Sequence, residues 1–392
     1  MGYKMTITLS NKMSFFKPSI FSELAQYKQR KISEGAPIID LSIGSPDLAP
    51  PSFITNALSK EVLKSDQYGY SLTGTNEFNR AVSSFYHRNY KVELDSIEEV
   101  LLLMGSQDGL VHFPMVFANP GDVILVPDPG YTAYAAGIAM AGATPYFMPL
   151  KKEMNFLPDL SIIPSEVAEK AKLMILNFPG NPVPALADIE FFEKVVAFAK
   201  KFNILVLHDF AYSELYFEEK KPVSFLSIEG AKDIGVEMSS FSKNYNMAGT
   251  RIGFLAGNKE MVQAMNQLKS NLDYGVFLPI QKAAILALEE GAHFCEESRQ
   301  VYQERRDTLV EGLNELGWTI TKPDAGMFIW AEVPTGFSST EFTYELIDNA
   351  HVVVTPGHAF GPTGEGYVRI ALVQDVEKLK KVITSIKNAN IL

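Results

Sequence analysis

The sequence predicts an α/β protein: a large domain on a mostly parallel, doubly wound sheet, joined to a smaller α+β domain. Three observations lead there. Short continuous apolar runs alternate with helical patterns over roughly the middle of the chain, as expected of strands covered on both faces. Each run ends in a cluster of polar, Gly and Pro residues, at the strand edge where open α/β sheets bind ligands. From about Pro279 the texture changes to long helical patterns followed by separated strands.

Bulk properties bound the reading. A chain of 392 residues is long enough for two or three domains, and 46% hydrophobic with 21% charged residues is an ordinary globular composition. A formal net charge of -11 disfavours nucleic acid and anionic membranes as partners, since both recruit Lys/Arg-rich faces. The Met1 to Leu9 stretch holds no long apolar run, and no segment approaches the length that spans a bilayer, so a soluble cytoplasmic protein is expected. Cys295 is the single cysteine, which excludes an intrachain disulfide and leaves it either a packed helix residue or a reactive thiol.

Taken in order, Ser19 to Gly35 reads as a helix ending at a glycine. A strand over Pro37–Ile43 runs into Gly44-Ser45-Pro46-Asp47, where Gly44 is either punctuation or a place where backbone approaches a ligand. After the Pro50-Pro51 break and a polar loop from Gln67 to Gly74, Phe78, Ala81, Val82 and Phe85 mark an amphipathic helix. The alternation then begins. Strands at Val100–Leu103, Val123–Val126, Leu173–Leu176 and Ile204–Leu207 end respectively in Gly105-Ser106-Gln107, Asp128-Pro129-Gly130-Tyr131, Asn177 to Pro182, and His208 to Tyr212. The helix carrying Phe191, Phe192, Val195 and Val196 is expected to be capped by Asp188. Toward the end, long helices cover about Pro279 to Gly317. Strands are expected at Trp318–Thr321, Met327–Ala331, Val352–Thr355 and Tyr367–Leu372, and a closing helix from Asp375.

The chemistry concentrates in Ser240-Phe241-Ser242-Lys243, followed through Ala248-Gly249-Thr250 by Arg251. A lysine among small hydroxyl residues, with an arginine shortly after, combines an amine nucleophile with groups suited to a phosphate. It reads as a cofactor seat. No histidine or cysteine spacing suggests a metal site.

With these residues in place, the chain from about Ile38 to its last helix resembles the class I/II aminotransferases, fold-type-I enzymes that use pyridoxal 5'-phosphate. The strand-end signals appear in the family's order, with its lysine signature at Ser240 to Gly253. Pro18 to Phe21, Ile39 to Asp47 and Lys269 to Phe277 are similar to the subgroup that includes LL-diaminopimelate, aromatic and broad-range aminotransferases. The resemblance implies a large cofactor domain at 49–285 and a small domain formed from 1–48 and 286–392. It implies transfer of an amino group from an α-amino acid to a 2-oxo acid through an aldimine with Lys243, which also carries protons. Asp209 would keep the ring nitrogen protonated. Asn181 and Tyr212 would bond the ring's phenolic oxygen, and Tyr131 would stack on its face. Gly105, Ser106, Gln107, Ser240, Ser242 and Arg251 would form the phosphate cup, at the start of a helix. Tyr70, in preference to Tyr68, would reach the phosphate of a neighbouring subunit, so a homodimer with shared sites is implied. Gly44, Asn181 and Arg369 would take the substrate's α-carboxylate.

His208 has two readings, as a group orienting Asp209 or as a buried histidine satisfied elsewhere. One departure stands out: the family usually continues Asn-Pro with Thr-Gly, whereas Asn181-Pro182 is followed by Val183-Pro184. Two alternatives share the cofactor residues. One is another fold-type-I enzyme, such as a C–S lyase, decarboxylase or synthase. The other is a regulatory protein that binds the cofactor, which would want a basic DNA-binding extension.

Overall fold

The computed structural model describes residues 5, 7–16 and 20–392; the remaining N-terminal positions, including Ser19, the expected start of the first helix, and Pro18 of the subgroup resemblance, lie outside the described residues. Helix α1 (Ile20–Ser33) ends before Gly35, as its pattern predicts. Strand β1 is only Ile39–Asp40 rather than Pro37–Ile43. It stops because Asp40 accepts from both the backbone and the hydroxyl of Ser42, which turns the chain away from its partner. Helix α2 (Ser52–Glu61) is an addition to the expected elements. Pro51 stands at its N-cap, where a missing N–H costs nothing, so the proline pair starts a helix as well as breaking what precedes. Helix α3 (Asn76–Tyr90) follows, capped by Thr75.

The large sheet is then laid down with its helices: β2 (Val100–Leu103), α4 (Ser106–Phe117), β3 (Val123–Asp128), α5 (Thr132–Ala141) and β4 (Thr144–Pro149). After the short α6 (Ser165–Ala168) come β5 (Ala171–Leu176), α7 (Ile189–Phe202) and β6 (Leu205–Asp209). Asp188 caps α7 by accepting from the Phe191 N–H, as predicted. Next are β7 (Gly235–Ser240), the four-residue α8 (Phe241–Asn244) and β8 (Gly253–Gly257). The seven strands lie in the order β2-β8-β7-β6-β5-β3-β4. Only β8 runs antiparallel to its neighbours, β2 and β7.

Strands β4, β7 and β8 were not expected, for physical reasons that differ. Strand β4 is a largely exposed edge with two prolines, β7 interrupts its apolar run with the buried Glu237, and β8 is five residues bounded by glycines.

Helices α9 (Lys259–Lys269), α10 (Leu278–Glu290) and α11 (Ala292–Glu315) lead into the second unit. It contains β9 (Phe328–Glu332), α12 (Ser339–Glu345), β10 (Val352–Val353), β11 (Thr355–Pro356), β12 (Tyr367–Ala371) and α13 (Val376–Ala389). Strand β1 pairs with β10 in parallel, so the N-terminal segment is stitched to the C-terminal one, and β11-β12-β9 form an antiparallel sheet. The expected strand at Trp318–Thr321 is absent from the described residues. The Asn314 side chain donates to the Ile320 carbonyl and accepts from its N–H, satisfying that backbone without a sheet partner.

Alternation within the apolar runs divides the large core. Leu101, Leu103, Leu173 and Ile175 face a cluster containing Phe113 of α4 and Ile138 of α5, whereas Leu102, Met174 and Leu176 face one containing Phe85 of α3 and Phe192 of α7. A third cluster joins α11 and α13 to β9 and β12 and takes in Tyr212 from the large unit. Phe192 is fully buried, with its ring 5.2 Å from His208 and 5.6 Å from Phe225. Phe192→Ala should therefore cost about 3–5 kcal/mol, read as a lower denaturant midpoint; a shift under about 1 kcal/mol would show that this core collapses around the gap.

Candidate active site

Strand direction decides what can meet. Because β2, β3, β5, β6 and β7 run the same way, their C-terminal ends share one edge of the sheet, and the reversed β8 brings its N-terminal end there too. Gly105, Tyr131, Asn181, Asp209, Ser240 and Arg251 all lie at or just beyond those ends. The cleft they border, of about 260 Å³, is lined by Gly44, Ser106, Gln107, Tyr131, Asn181, Asp209, Tyr212, Ser240, Ser242, Lys243 and Arg251.

Lys243 sits on α8 with its Nζ donating to the Gly44 carbonyl. Burial, reinforced by the nearby Arg369 and Arg251 charges, lowers its amine to about 8; Asp209 opposes the shift. Asp209 is itself buried at the end of β6, and loss of solvent raises its carboxyl to about 6. The main opposing influence is the Tyr134 hydroxyl, which donates to Oδ2 at 2.8 Å. The Ala211 N–H adds a bond to Oδ1 at 3.3 Å. At neutral pH Asp209 is thus largely a carboxylate held in a dry pocket, the state that favours a protonated nitrogen opposite it.

One end of the cleft suits a dianion. Helix α4 begins at Ser106, so its first N–H groups and dipole point into the cleft. Gly105 has φ +82, and a Cβ there would stand 2.6 Å from Arg251 Nη2; glycine alone permits both the turn and the guanidinium beside it. A side chain at Gly253 would meet the Ser106 N at 2.9 Å, which lets β8 press close behind the same turn. Ser240 Oγ caps α8 by accepting from the Ser242 N–H at 3.1 Å. Tyr131 forms a side wall, its hydroxyl donating to Gln107 Oε1 at 3.1 Å.

The other end suits a carboxylate. Arg369, on β12, is 3% exposed and donates to Asn181 Oδ1 at 2.7 Å and to the Ser42 carbonyl at 2.7 Å. Its guanidinium lies 4.4 Å over the Phe328 ring and 4.7 Å over Phe360. Burial lowers it to about 10, and its Nε has no partner among the described residues. A Cβ on Gly44 would stand 3.6 Å from Arg369 Nη1, so that stretch of backbone lies against the guanidinium. Tyr212, 5% exposed, packs edge-on against Phe328, and burial pushes its hydroxyl well above the usual range.

Of the expected site residues, Gly105 and Arg369 lie behind the lining, against Arg251 and Asn181 respectively, and Tyr70 stands apart from the cleft altogether. It is 86% exposed, with its ring 5.0 Å from Tyr274. His208 is satisfied elsewhere: its ring nitrogens meet Glu237 Oε1 at 2.8 Å and the Phe178 carbonyl at 3.1 Å, so it does not orient Asp209 by a hydrogen bond. Buried Cys295 donates to the Asn244 carbonyl, and burial raises its thiol far from the reactive range. Val183 packs in a cluster with Leu150, Trp330 and Phe360, away from the cleft lining.

Two participants escaped the sequence reading. Asn177 donates to the Asp209 carbonyl at 2.8 Å and accepts from the Asn181 N–H at 2.9 Å, tying two strand ends together. Tyr134, one helical turn beyond Tyr131, secures Asp209. Position at a strand end could have flagged Asn177, but nothing local marks Tyr134. Together the residues fit a planar group with a phosphate at the Ser106 end, a basic ring nitrogen at Asp209 and an aldehyde near Lys243. The donor set is that of the cofactor implied by the resemblance.

Comparison with known proteins agrees with this chemistry. Residues 36–386 match the family model for aminotransferase class I and II. The LL-diaminopimelate aminotransferase of Aquifex aeolicus is 44% identical over 380 residues, covering 97% of this chain and 98% of the relative. That of Desulforudis audaxviator is 43% identical, covering 98% of each. Among solved structures, a substrate-bound BacF from Bacillus subtilis superposes with a TM-score of 0.94 at 41% identity, covering 98% of both chains.

The lowered amine of Lys243 is directly measurable. In protein freed of cofactor, trinitrobenzenesulfonate should modify Lys243 with an inflection near pH 8, against 10.5 for an ordinary lysine. The unfolded amine keeps its proton between those values while the buried one has lost it, so this residue makes the fold more stable as pH rises through that window. Lys243→Met should abolish both effects; an inflection unchanged from 10.5 would mean that the amine is not desolvated.

Proposed function

We propose, from the premise that this chain belongs to the class I and II aminotransferase family and is a transaminase, that it uses pyridoxal 5'-phosphate held between Asp209 and the Ser106 turn. The observation carrying this reading is that Lys243 and Asp209 line one cleft while Arg369, from a third and distant part of the chain, backs it by donating to Asn181 of its lining. When bound there, the cofactor supplies an aldehyde for exchange between amines and a ring that withdraws electrons from the substrate's α-carbon.

The chain's own residues divide the remaining work. Lys243, lowered to about 8, holds an unprotonated amine often enough near neutral pH to serve as covalent anchor. With a substrate amine bound in the cleft, Lys243 Nζ would be the base that takes the α-proton and the acid that gives it back. Asp209 holds the proton on the ring nitrogen, and Asn181 and Tyr212 are the donors for the phenolic oxygen. Ser106, Gln107, Ser240 and Arg251 hold the phosphate, with Gly105 making room and Ser242 beside them. Arg369 binds the donor's α-carboxylate, with the Gly44 N–H and the Asn181 amide as further donors. The half-reaction then runs in reverse with a 2-oxo acid.

For the donor we favour LL-diaminopimelate, which rests on likeness to relatives of that name across nearly the whole chain. We further propose a homodimer, supported by family expectation and by the exposed Tyr70–Tyr274 pair at the surface.

Lys243→Ala should lower turnover by at least about 10²–10⁴-fold. Wild-type rates with that variant would end the assignment. A panel of LL-diaminopimelate, aromatic and acidic amino donors against 2-oxoglutarate and pyruvate, followed by cofactor absorbance, should show fastest conversion with LL-diaminopimelate; a faster aromatic donor would overturn that choice. Light scattering should give twice the chain mass of 43.4 kDa, and an active monomer would contradict shared sites.

A further inference from the structure

The loop from Ser42 to Ala49 passes across the carboxylate end of the cleft. Its first residue is fixed by Asp40, which accepts from the Ser42 N–H and hydroxyl, and by Thr355, whose Oγ1 donates to the Ser42 carbonyl at 3.3 Å. Four further side chains reach the loop from the site and from α11. Arg369 donates to the Ser42 carbonyl at 2.7 Å, and Lys243 to the Gly44 carbonyl. Asn246 donates to the Ala49 carbonyl at 3.3 Å. The fourth tie is of another kind. Arg305, from α11, grips the Asp47 carboxylate with Nη1 at 2.7 Å and Nη2 at 2.9 Å, two parallel charge-assisted bonds across 258 residues of sequence. The guanidinium is 3% exposed, and Nη1 also donates to the Leu372 carbonyl at 2.9 Å, three residues beyond Arg369 on the chain leaving β12.

The four ties differ in what the reaction asks of them. Lys243 must let go of the Gly44 carbonyl before its amine can work, and Arg369 must share its donors with the incoming carboxylate. The Asn246 bond is single, neutral and long. Of these four, among the described residues only the Arg305–Asp47 pair is strong and also idle in the chemistry, so beyond the Ser42 end it is what keeps the loop in place when the other charged ties are committed.

We propose that Arg305 and Asp47 are positioning residues that hold the Gly44 N–H on the donor's α-carboxylate throughout turnover. The pair anchors the loop to the chain that carries Arg369, so both donors to the carboxylate are referred to one frame. This rests on the reading of Arg369 and Gly44 as the α-carboxylate's donors. Displacing such a donor by a fraction of an ångström costs affinity for the carboxylate and leaves the cofactor seat alone.

The test compares two probes on the holoenzyme, 2-methylalanine and isopropylamine, which differ by the carboxylate and whose binding is read from cofactor absorbance. The wild type should prefer 2-methylalanine. In Asp47→Asn, which keeps the side chain's shape, that preference should fall about tenfold or more, with KM for amino donors rising more than kcat falls. Asp47→Glu should restore part of it, and Arg305→Lys, retaining one charge without the fork, should fall between. The melting difference between cofactor-loaded and cofactor-free protein should stay at the wild-type value in Asp47→Asn. If Asp47→Asn and Arg305→Lys both keep the wild-type preference, the proposal fails. A loss of preference accompanied by an equal loss of cofactor stabilisation also overturns it, since that marks general disturbance. Arg369→Ala separates the premise: if that variant keeps the preference, the reading of the carboxylate end is wrong independently of Arg305.

Discussion

The site is built around an imbalance of charge. Lys243 stands between a buried carboxylate, Asp209, which favours its charged form, and two guanidinium groups, the buried Arg369 and the more exposed Arg251, which oppose it. The consequence appears at Lys243. The two arginines reinforce the effect of burial on Lys243, while burial alone lowers Arg369 to about 10. A cleft so arranged is relieved by anions. A phosphate at the Ser106 end and a carboxylate at the Arg369 end are the ligands that would bring its charges nearer to balance. Burial, reinforced by the two arginines, gives Lys243 its chemistry, because an amine held in the usual lysine range would be almost wholly protonated and useless as a nucleophile.

Such an imbalance survives only if the fold forces the groups together, and the force is topological. Parallel strands place successive C-terminal ends on one edge, so Ser106, Tyr131, Asn181, Asp209 and Ser240 arrive there without any local preference of their own. Arg251 arrives by the opposite device. Strand β8 is reversed, so the residue just before it, not after it, stands at that edge, opposite the ends of β7 and β2 in register. The glycines at 105 and 253 then let backbone and guanidinium approach to contact distance.

This explains what could be read from the sequence and what could not. Parallel strands buried on both faces leave continuous apolar runs, so β2, β3, β5 and β6 were legible, and with them the residues at their ends. Strand β7 was hidden because Glu237 sits in its middle, and Glu237 is tolerable there only because His208, Ser224 and the Phe225 N–H surround it. That is a tertiary fact with no local sign. Strand β1 was overextended for a related reason, since the turn set by Asp40 and Ser42 is invisible to periodicity. Asn177, Tyr134 and the Arg305–Asp47 pair were missed because each acts on a residue far away in sequence. A motif marks residues that meet the ligand. It carries little of what holds those residues still.

The seam between the two units is where that holding is done. Tyr212 belongs to the loop after β6, yet its ring is buried in the cluster of the second unit, edge-on to Phe328. The other side of the relation is Arg369, whose guanidinium rests 4.4 Å over the Phe328 ring while its Nη1 reaches back to Asn181 of the first unit. From Tyr212, which lines the cleft with Asp209, through Phe328 to Arg369 there is thus a run of packed groups, joining the end proposed for the ring nitrogen to the end proposed for the carboxylate. Packed interiors resist compression, so the spacing between the two ends is set by van der Waals contact and not by the flexible charged side chains. Transamination needs the α-carbon bond to be broken aligned with the ring, and that alignment is a matter of where the carboxylate is held relative to the nitrogen. On the proposed reading of the two ends, the aromatic pair at the seam is what would set the spacing between them, although neither ring carries a charge.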